Sequence, residues 1–220
     1  MNSIKIPRII HYAWFGGGEK PELVKKCIQS WKKFLPDYKI IQWDETNFDI
    51  DCCKYVKDAY KSEKWAYVTD YVRLWCLEKM GGIYVDADVQ IVKSLDRFLK
   101  YRAFTGHETD DLMLAAVMGA EPHHYWIQFL LDHYKHSNFD PYNLIPNTKI
   151  VTALSRSLIT RQNYGFTYLK HGVVIFPITY FAGFDHQRME PLVTEDTYSI
   201  HHFAGTWLNR STAGRTTYDR

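Results

Sequence analysis

One stretch constrains this chain more than any other: a helical pattern, two glycines, a short apolar run and two aspartates follow one another without a gap. The residues from about Lys64 to Met80 predict a helix, which Gly81-Gly82 ends as a glycine cap. Ile83-Tyr84-Val85 reads as a buried strand, and Asp86-Ala87-Asp88 stands at its C-terminal end. In an open α/β sheet, ligands bind just beyond the carboxyl ends of the strands. The acidic pair therefore sits where a site is expected.

The residues before this unit repeat the alternation of strand and helix. Ile6 to Trp14 reads as a buried first strand, released by the flexible loop Gly16-Gly17-Gly18. Pro21 opens a helix whose Leu23, Cys27, Trp31 and Phe34 or Leu35 recur on one face. Tyr38 to Trp43 forms a second strand. The later half is less regular: His123 to His136 and Thr148 to Thr160 read as helices, and Gly172 to Pro177 as a strand. The polar, threonine-rich end, Ser211 to Arg220, reads as a mobile tail. No internal repeat, low-complexity tract or linker divides the chain, so one α/β domain over 1–220 is expected, with a Rossmann-type mixed sheet flanked by helices.

Composition excludes several classes. Apolar residues at 46% and charged residues at 24% describe a globular chain rather than a disordered one, and a formal charge of +2 gives no field suited to nucleic acid. Lys25-Lys26 and Lys32-Lys33 read as solvated helix faces able to rest on an anionic membrane surface. Cys27, Cys52, Cys53 and Cys76 form no CxxC pair, which suits free thiols in a reducing compartment. The N-terminus lacks the apolar core of a signal peptide, and no run of about 20 apolar residues occurs. A soluble cytoplasmic protein with peripheral contact at the inner membrane face is expected. With 16 Tyr and 7 Trp, the chain is rich in amphipathic rings that suit a core as well as sugar or base stacking.

Two carboxylates two residues apart at a strand end can splay around one hard cation, whose remaining positions take water and substrate phosphate. Without the cation, the same carboxylates would repel a diphosphate. Asp70 and Arg73, three apart on the preceding helix, share a face. They read either as an intrahelical ion pair or as a pair that grips a sugar and its phosphates. His201-His202 offers an imidazole to a carboxylate metal site, which would favour manganese over magnesium.

Taken together, IPRIIHYAWFGG, SWKKFLPDYKIIQWDE and WAYVTDYVRLWCLEKMGGIYVDADV resemble glycosyltransferase family 32 almost continuously from Ile6 to about Leu99. That family includes capsular polysaccharide transferases, relatives of yeast initiating mannosyltransferases and, more distantly, the clostridial glucosylating toxins. The likeness returns at IFPITYF and SIHHFAGTWL and is loose from about Phe104 to Lys170. It implies a GT-A-like fold, with residues 1–100 for nucleotide-sugar and metal binding and 101–210 for the acceptor side and a C-terminal metal ligand. Trp14 resembles the ring that stacks on the nucleotide base. Asp70, Arg73 and Tyr84 resemble nucleotide-sugar contacts, and Asp86 and Asp88 the metal motif at the catalytic centre. His202 resembles the C-terminal ligand, although the toxins carry a carboxylate there, and Trp207 the ring that closes over the bound nucleotide sugar.

The implied activity is Mn2+- or Mg2+-dependent transfer of a hexose from a nucleotide-diphosphate sugar, with UDP expected, to an oligosaccharide or lipid-linked glycan in surface or capsular polysaccharide synthesis. The family implies retention of anomeric configuration. Three other readings remain: a toxin-like protein glycosyltransferase, a metal-dependent phosphohydrolase that would release phosphate, and an inactive glycan-binding relative indifferent to loss of Asp86 or Asp88.

Overall fold

The computed structural model describes residues 3–185 and 190–205. Its elements, in chain order, are β1 (Ile9–Ala13), α1 (Glu22–Phe34), β2 (Lys39–Trp43), α2 (Lys54–Lys61), α3 (Trp65–Met80), β3 (Gly82–Val85) and β4 (Val89–Ile91). There follow β5 (Ala103–Gly106), β6 (Val117–Ala120), α4 (Tyr125–His136), α5 (Asn147–Ser155), β7 (Ile159–Asn163), β8 (Phe166–Leu169) and β9 (Val173–Phe176). The short elements α6 (Ile178–Phe181), β10 (Phe184–Asp185), β11 (Glu190–Pro191) and β12 (Ser199–His201) complete the set.

Eight strands make one mixed sheet in the order β2-β1-β3-β6-β5-β9-β8-β7. β1 is parallel to both β2 and β3, β6 is antiparallel to β3 and β5, and β9 is parallel to β5. The carboxyl ends of β1, β3, β5 and β9 therefore share one edge. β4 and β12 pair antiparallel in a small ribbon of their own, and β10 pairs with β11.

Strand alternation fills both faces of the sheet. Ile83 and Val85 point into a cluster with Trp31, Phe98, Phe104 and Phe181, whereas Tyr84 points into the opposite one with Leu74, Met118 and Trp126. α1 closes the first face: Trp31 is fully buried, and its indole Nε1 donates to Val89 O at 2.7 Å. α3 lies inside the second face and is buried on nearly every side, including Asp70 and Arg73. This explains why it carries no clear amphipathic stripe.

The α3–β3 junction works as the sequence predicts. Gly81 has φ +62° and Gly82 φ +107°, and a Cβ on Gly82 would lie 2.8 Å from Ile9 O. Behind it, His11 is buried between Trp43 Nε1, which donates to its Nδ1 at 3.1 Å, and Gly81 O, 2.9 Å from its Nε2. Burial lowers this imidazole to about 4, so it stays neutral.

Some bounds differ from the expected ones. The first strand begins at Ile9 rather than Ile6, because Ile9 N–H turns back to Pro7 O. The helix expected over Thr148–Thr160 stops at Ser155, and Ile159 to Asn163 instead forms an edge strand. The four cysteines are free. No helix among the described residues is long and apolar enough to cross a membrane. The expected mobile tail, 211–220, lies outside the described residues.

Candidate active site

The aspartates of the β3 end lie in the turn between β3 and β4, held by Asp86 N–H to Ala116 O at 2.8 Å and Val89 N–H to Asp86 O at 3.0 Å. The β4–β12 pairing then brings the far end of the chain onto them. Val89 stands opposite His201, His202 N–H donates to Asp88 O at 3.2 Å, and Ala204 N–H donates to Asp88 Oδ2 at 2.9 Å. His201 Nε2 is 3.4 Å from Asp88 Oδ1. One ligand atom from each of Asp86, Asp88 and His201 lies within 4.8 Å of the others.

The histidine position differs from the expected one. His201, not His202, faces the aspartates, because consecutive strand residues point to opposite sides. The His202 ring instead sits 3.1 Å from Gln90 Oε1. Burial alone would raise the Asp88 carboxyl, but the His201 ring and the Ala204 N–H outweigh it and hold Asp88 at about 2. Burial would likewise lower His201, and the charges of Asp88, Asp86 and Glu108 raise it instead.

Below this cluster lies Arg73. Its Nη2 is 3.0 Å from Asp70 Oδ1 and 3.3 Å from Asp86 Oδ1, and its Nη1 donates to Ala115 O at 2.6 Å. The guanidinium rests on the Tyr84 ring, 4.8 Å from its centre. Burial would lower its pKa, and Asp86, Tyr84 and Asp70 raise it instead. Asp70 Oδ1 also accepts from Asn147 Nδ2 at 2.8 Å, and Asn147 Oδ1 accepts from Tyr134 OH at 3.1 Å. Burial pushes the Asp70 carboxyl up to about 6, against the pull of Arg73 and Asn147.

Two expected roles change with this geometry. Tyr84 is 1% exposed and serves as a platform for Arg73, so it has no surface to offer a nucleotide sugar. Arg73 is turned inward, its Nη1 and Nη2 bonded to protein oxygens and its Nε buried without a partner among the described residues, and it orders the carboxylates from below. Trp14 stands just past β1, half-buried, at the same sheet edge as Asp86. Its Nε1 donates to Gly18 O at 2.7 Å, which folds the glycine loop against it, and Lys20 Nζ lies 5.7 Å from its ring. Trp207 lies outside the described residues. The sequence offers His201 and His202 together and the resemblance singles out His202, while Asn147, Tyr134 and Ala115 carry no sequence signal.

The cluster fits a hard divalent cation. Asp70 and Asp86 share the Arg73 guanidinium and Asp88 faces the His201 ring, and the three ligands Asp86, Asp88 and His201 leave positions for water and phosphate oxygens. His201 Nδ1 is buried without a hydrogen-bond partner among the described residues.

Residues 1–150 match a family of capsular polysaccharide synthesis proteins. The chain belongs to that family. It is also 30% identical over 176 residues to a mannosyl phosphorylinositol ceramide synthase of Saccharomyces cerevisiae, covering 77% of this chain and 45% of that protein. An inositol phosphoceramide mannosyltransferase of Schizosaccharomyces pombe is 30% identical over 138 residues, covering 57% and 36%. The chain thus spans less than half the length of either relative. Among solved structures, PaToxG glycosyltransferase superposes with a TM-score of 0.55 at 18% identity, over 69% of each chain. A glycosyltransferase involved in glycosylation of the major capsid of PBCV-1 superposes with a TM-score of 0.50 at 10% identity, over 89% of this family member and 93% of that chain. These likenesses show a GT-A-like fold, as the sequence resemblance implies.

Proposed function

We propose that this chain is a metal-dependent glycosyltransferase that moves a hexose from a nucleotide-diphosphate sugar to a hydroxyl of a glycan or glycolipid. One observation carries the reading: two aspartates and a histidine from distant parts of the chain converge at the β3 end, above an arginine that ties one of them, Asp86, to the core. The names of the relatives support hexose transfer, and the family supports a role in surface polysaccharide synthesis.

Each residue has a task in this reading. Trp14, beside its glycine loop, stacks on the nucleotide base. Asp70, gripped through Oδ1, presents Oδ2 to a sugar hydroxyl. Arg73 holds Asp70 and Asp86 at a fixed separation. Asp86, Asp88 and His201 would hold a divalent cation, Mn2+ or Mg2+, whose Lewis acidity offsets charge on the departing nucleotide diphosphate. The acceptor oxygen bonds to the anomeric carbon as the bond from that carbon to the phosphate oxygen breaks, and the acceptor proton passes to the leaving phosphate. Attack on the face the phosphate leaves gives retention. The reaction takes place at the cytoplasmic face of a membrane.

The test is hydrolysis of UDP- and GDP-hexoses with Mn2+ and then with EDTA. One nucleotide sugar should be split slowly to free sugar and nucleotide diphosphate with metal only, and Asp88→Asn should abolish this while circular dichroism is unchanged. Turnover that survives EDTA, or Asp88→Asn, would overturn the metal-centred reading. Release of inorganic phosphate would point to a phosphohydrolase.

A further inference from the structure

The sheet edge that carries Asp86 continues past it. β5 and β9 end on this edge, and β8 runs antiparallel to β9, so the β7–β8 turn also lies there. Between them opens a cleft of about 370 Å³, within the size range of small-molecule sites. Its polar lining includes His107, Asp110, Gln162, Asn163 and Thr179, and Phe166 supplies an apolar wall. Thr167 gathers two of these groups: its Oγ1 is 3.1 Å from His107 Nε2 and 3.2 Å from Gln162 Nε2.

The cleft is joined to the candidate active site by chain as well as by position. Ile178 and Thr179 line it, and a few residues on, Phe181 O accepts from Ser199 Oγ and Ala182 O from His201 N–H, both at 2.8 Å. On the other side, His107 lines the cleft, while the next residue, Glu108, is buried and its charge acts on His201.

We propose that this cleft binds a neutral sugar ring of the acceptor, and that it selects against an anionic phosphate headgroup. The inference rests on the glycosyltransferase reading for the word acceptor and deepens it by naming the substrate class. Side-chain amides and a carboxylate offer paired hydrogen-bonding atoms to neighbouring hydroxyls. Phe166 covers the apolar C–H face of a ring. No lysine or arginine occurs among the described lining residues, and burial lowers the His107 imidazole, which keeps it uncharged. Asp110 would repel a phosphate placed beside it. A relative named for inositol phosphoceramide carries a phosphorylated lipid in its name, whereas the lining of this cleft suits an uncharged ring.

Saturation-transfer NMR of the whole chain with methyl glycosides of mannose, glucose and galactose tests the cleft without any nucleotide sugar. At least one glycoside should bind, and inositol 1-phosphate should fail to displace it. The double variant Gln162→Ala/Asn163→Ala should weaken binding about tenfold or more, as expected for loss of two neutral hydrogen bonds. Asp110→Asn provides a second, isosteric probe and should weaken binding in the same direction. The proposal is overturned if no glycoside binds, if the folded variants bind as well as wild type, or if inositol 1-phosphate displaces the glycoside. Nucleotide-sugar hydrolysis by the unaltered chain reports separately on the transferase reading. Hydrolysis without glycoside binding would sink the cleft alone, and glycoside binding without hydrolysis would sink the transferase alone.

Discussion

Arg73 links more of the candidate site than any other single residue. One buried guanidinium serves Asp70, Asp86 and the Ala115 carbonyl while resting on Tyr84. Removing it would leave buried carboxylates facing one another, so Arg73→Ala measures collapse rather than catalysis. His201 and His202 give a cleaner comparison. His201→Ala should weaken Mn2+ binding by about tenfold or more, while His202→Ala should change it little, because His202 serves Gln90 instead. Isothermal titration with Mn2+ decides, and equal losses would show that both rings serve the site. At this scale the sequence brought forward Asp70, Arg73, Tyr84, Asp86, Asp88 and the His201-His202 pair but could not orient them. Whether Tyr84 faces solvent or the core depends on α3 covering it, and whether His201 or His202 points inward depends on the register of β12. Both facts are tertiary.

The α3–β3 junction is the element on which the aspartates depend for their position. Gly82→Ala would combine a left-handed backbone with a Cβ 2.8 Å from Ile9 O, and should cost about 2–4 kcal/mol in urea unfolding. Gly18→Ala, whose Cβ would meet open space, should stay within about 0.5 kcal/mol. His11 behind the junction adds a pH dependence. The unfolded imidazole takes a proton near 6.5, whereas the folded one resists until about 4. Stability from this group is therefore complete above about 6.5 and falls as pH drops toward 4, by about 3 kcal/mol in all. His11→Gln should flatten that part of the urea-midpoint profile, and an unchanged slope would show that other groups carry it. Elements of this kind were legible. α1 carries a helical period, β1 to β3 carry apolar or β-rich runs, and proline or glycine punctuation marks the start of α1 and the end of α3. β5, β6 and β8 are four residues each, and α2 lies in a charged stretch after two cysteines, so neither periodicity nor punctuation marks them.

Over the whole molecule, the two halves of the sequence share a sheet and a site. β3 pairs with β6, Asn147 of α5 grips Asp70, and β12 lies on β4. A ligand held between Asp86, Asp88 and His201 is thus bound only by the complete fold. Mn2+ with a nucleoside diphosphate at a hundred times its dissociation constant should raise global stability by about 2.7 kcal/mol. Asp88→Asn should remove that increment, as read by thermal unfolding with and without ligand. Stabilisation retained in Asp88→Asn would place the bound diphosphate elsewhere.

The β4–β12 ribbon also sets an order of events during synthesis. A growing chain has made Trp14, Asp70, Asp86 and Asp88 long before the ribosome adds His201, and the Ala204 N–H that grips Asp88 comes later still. An incomplete chain therefore carries the acidic motif without its closing strand. A nascent or prematurely terminated product that lacks β12 cannot assemble the cluster, whatever the acidic motif alone attracts.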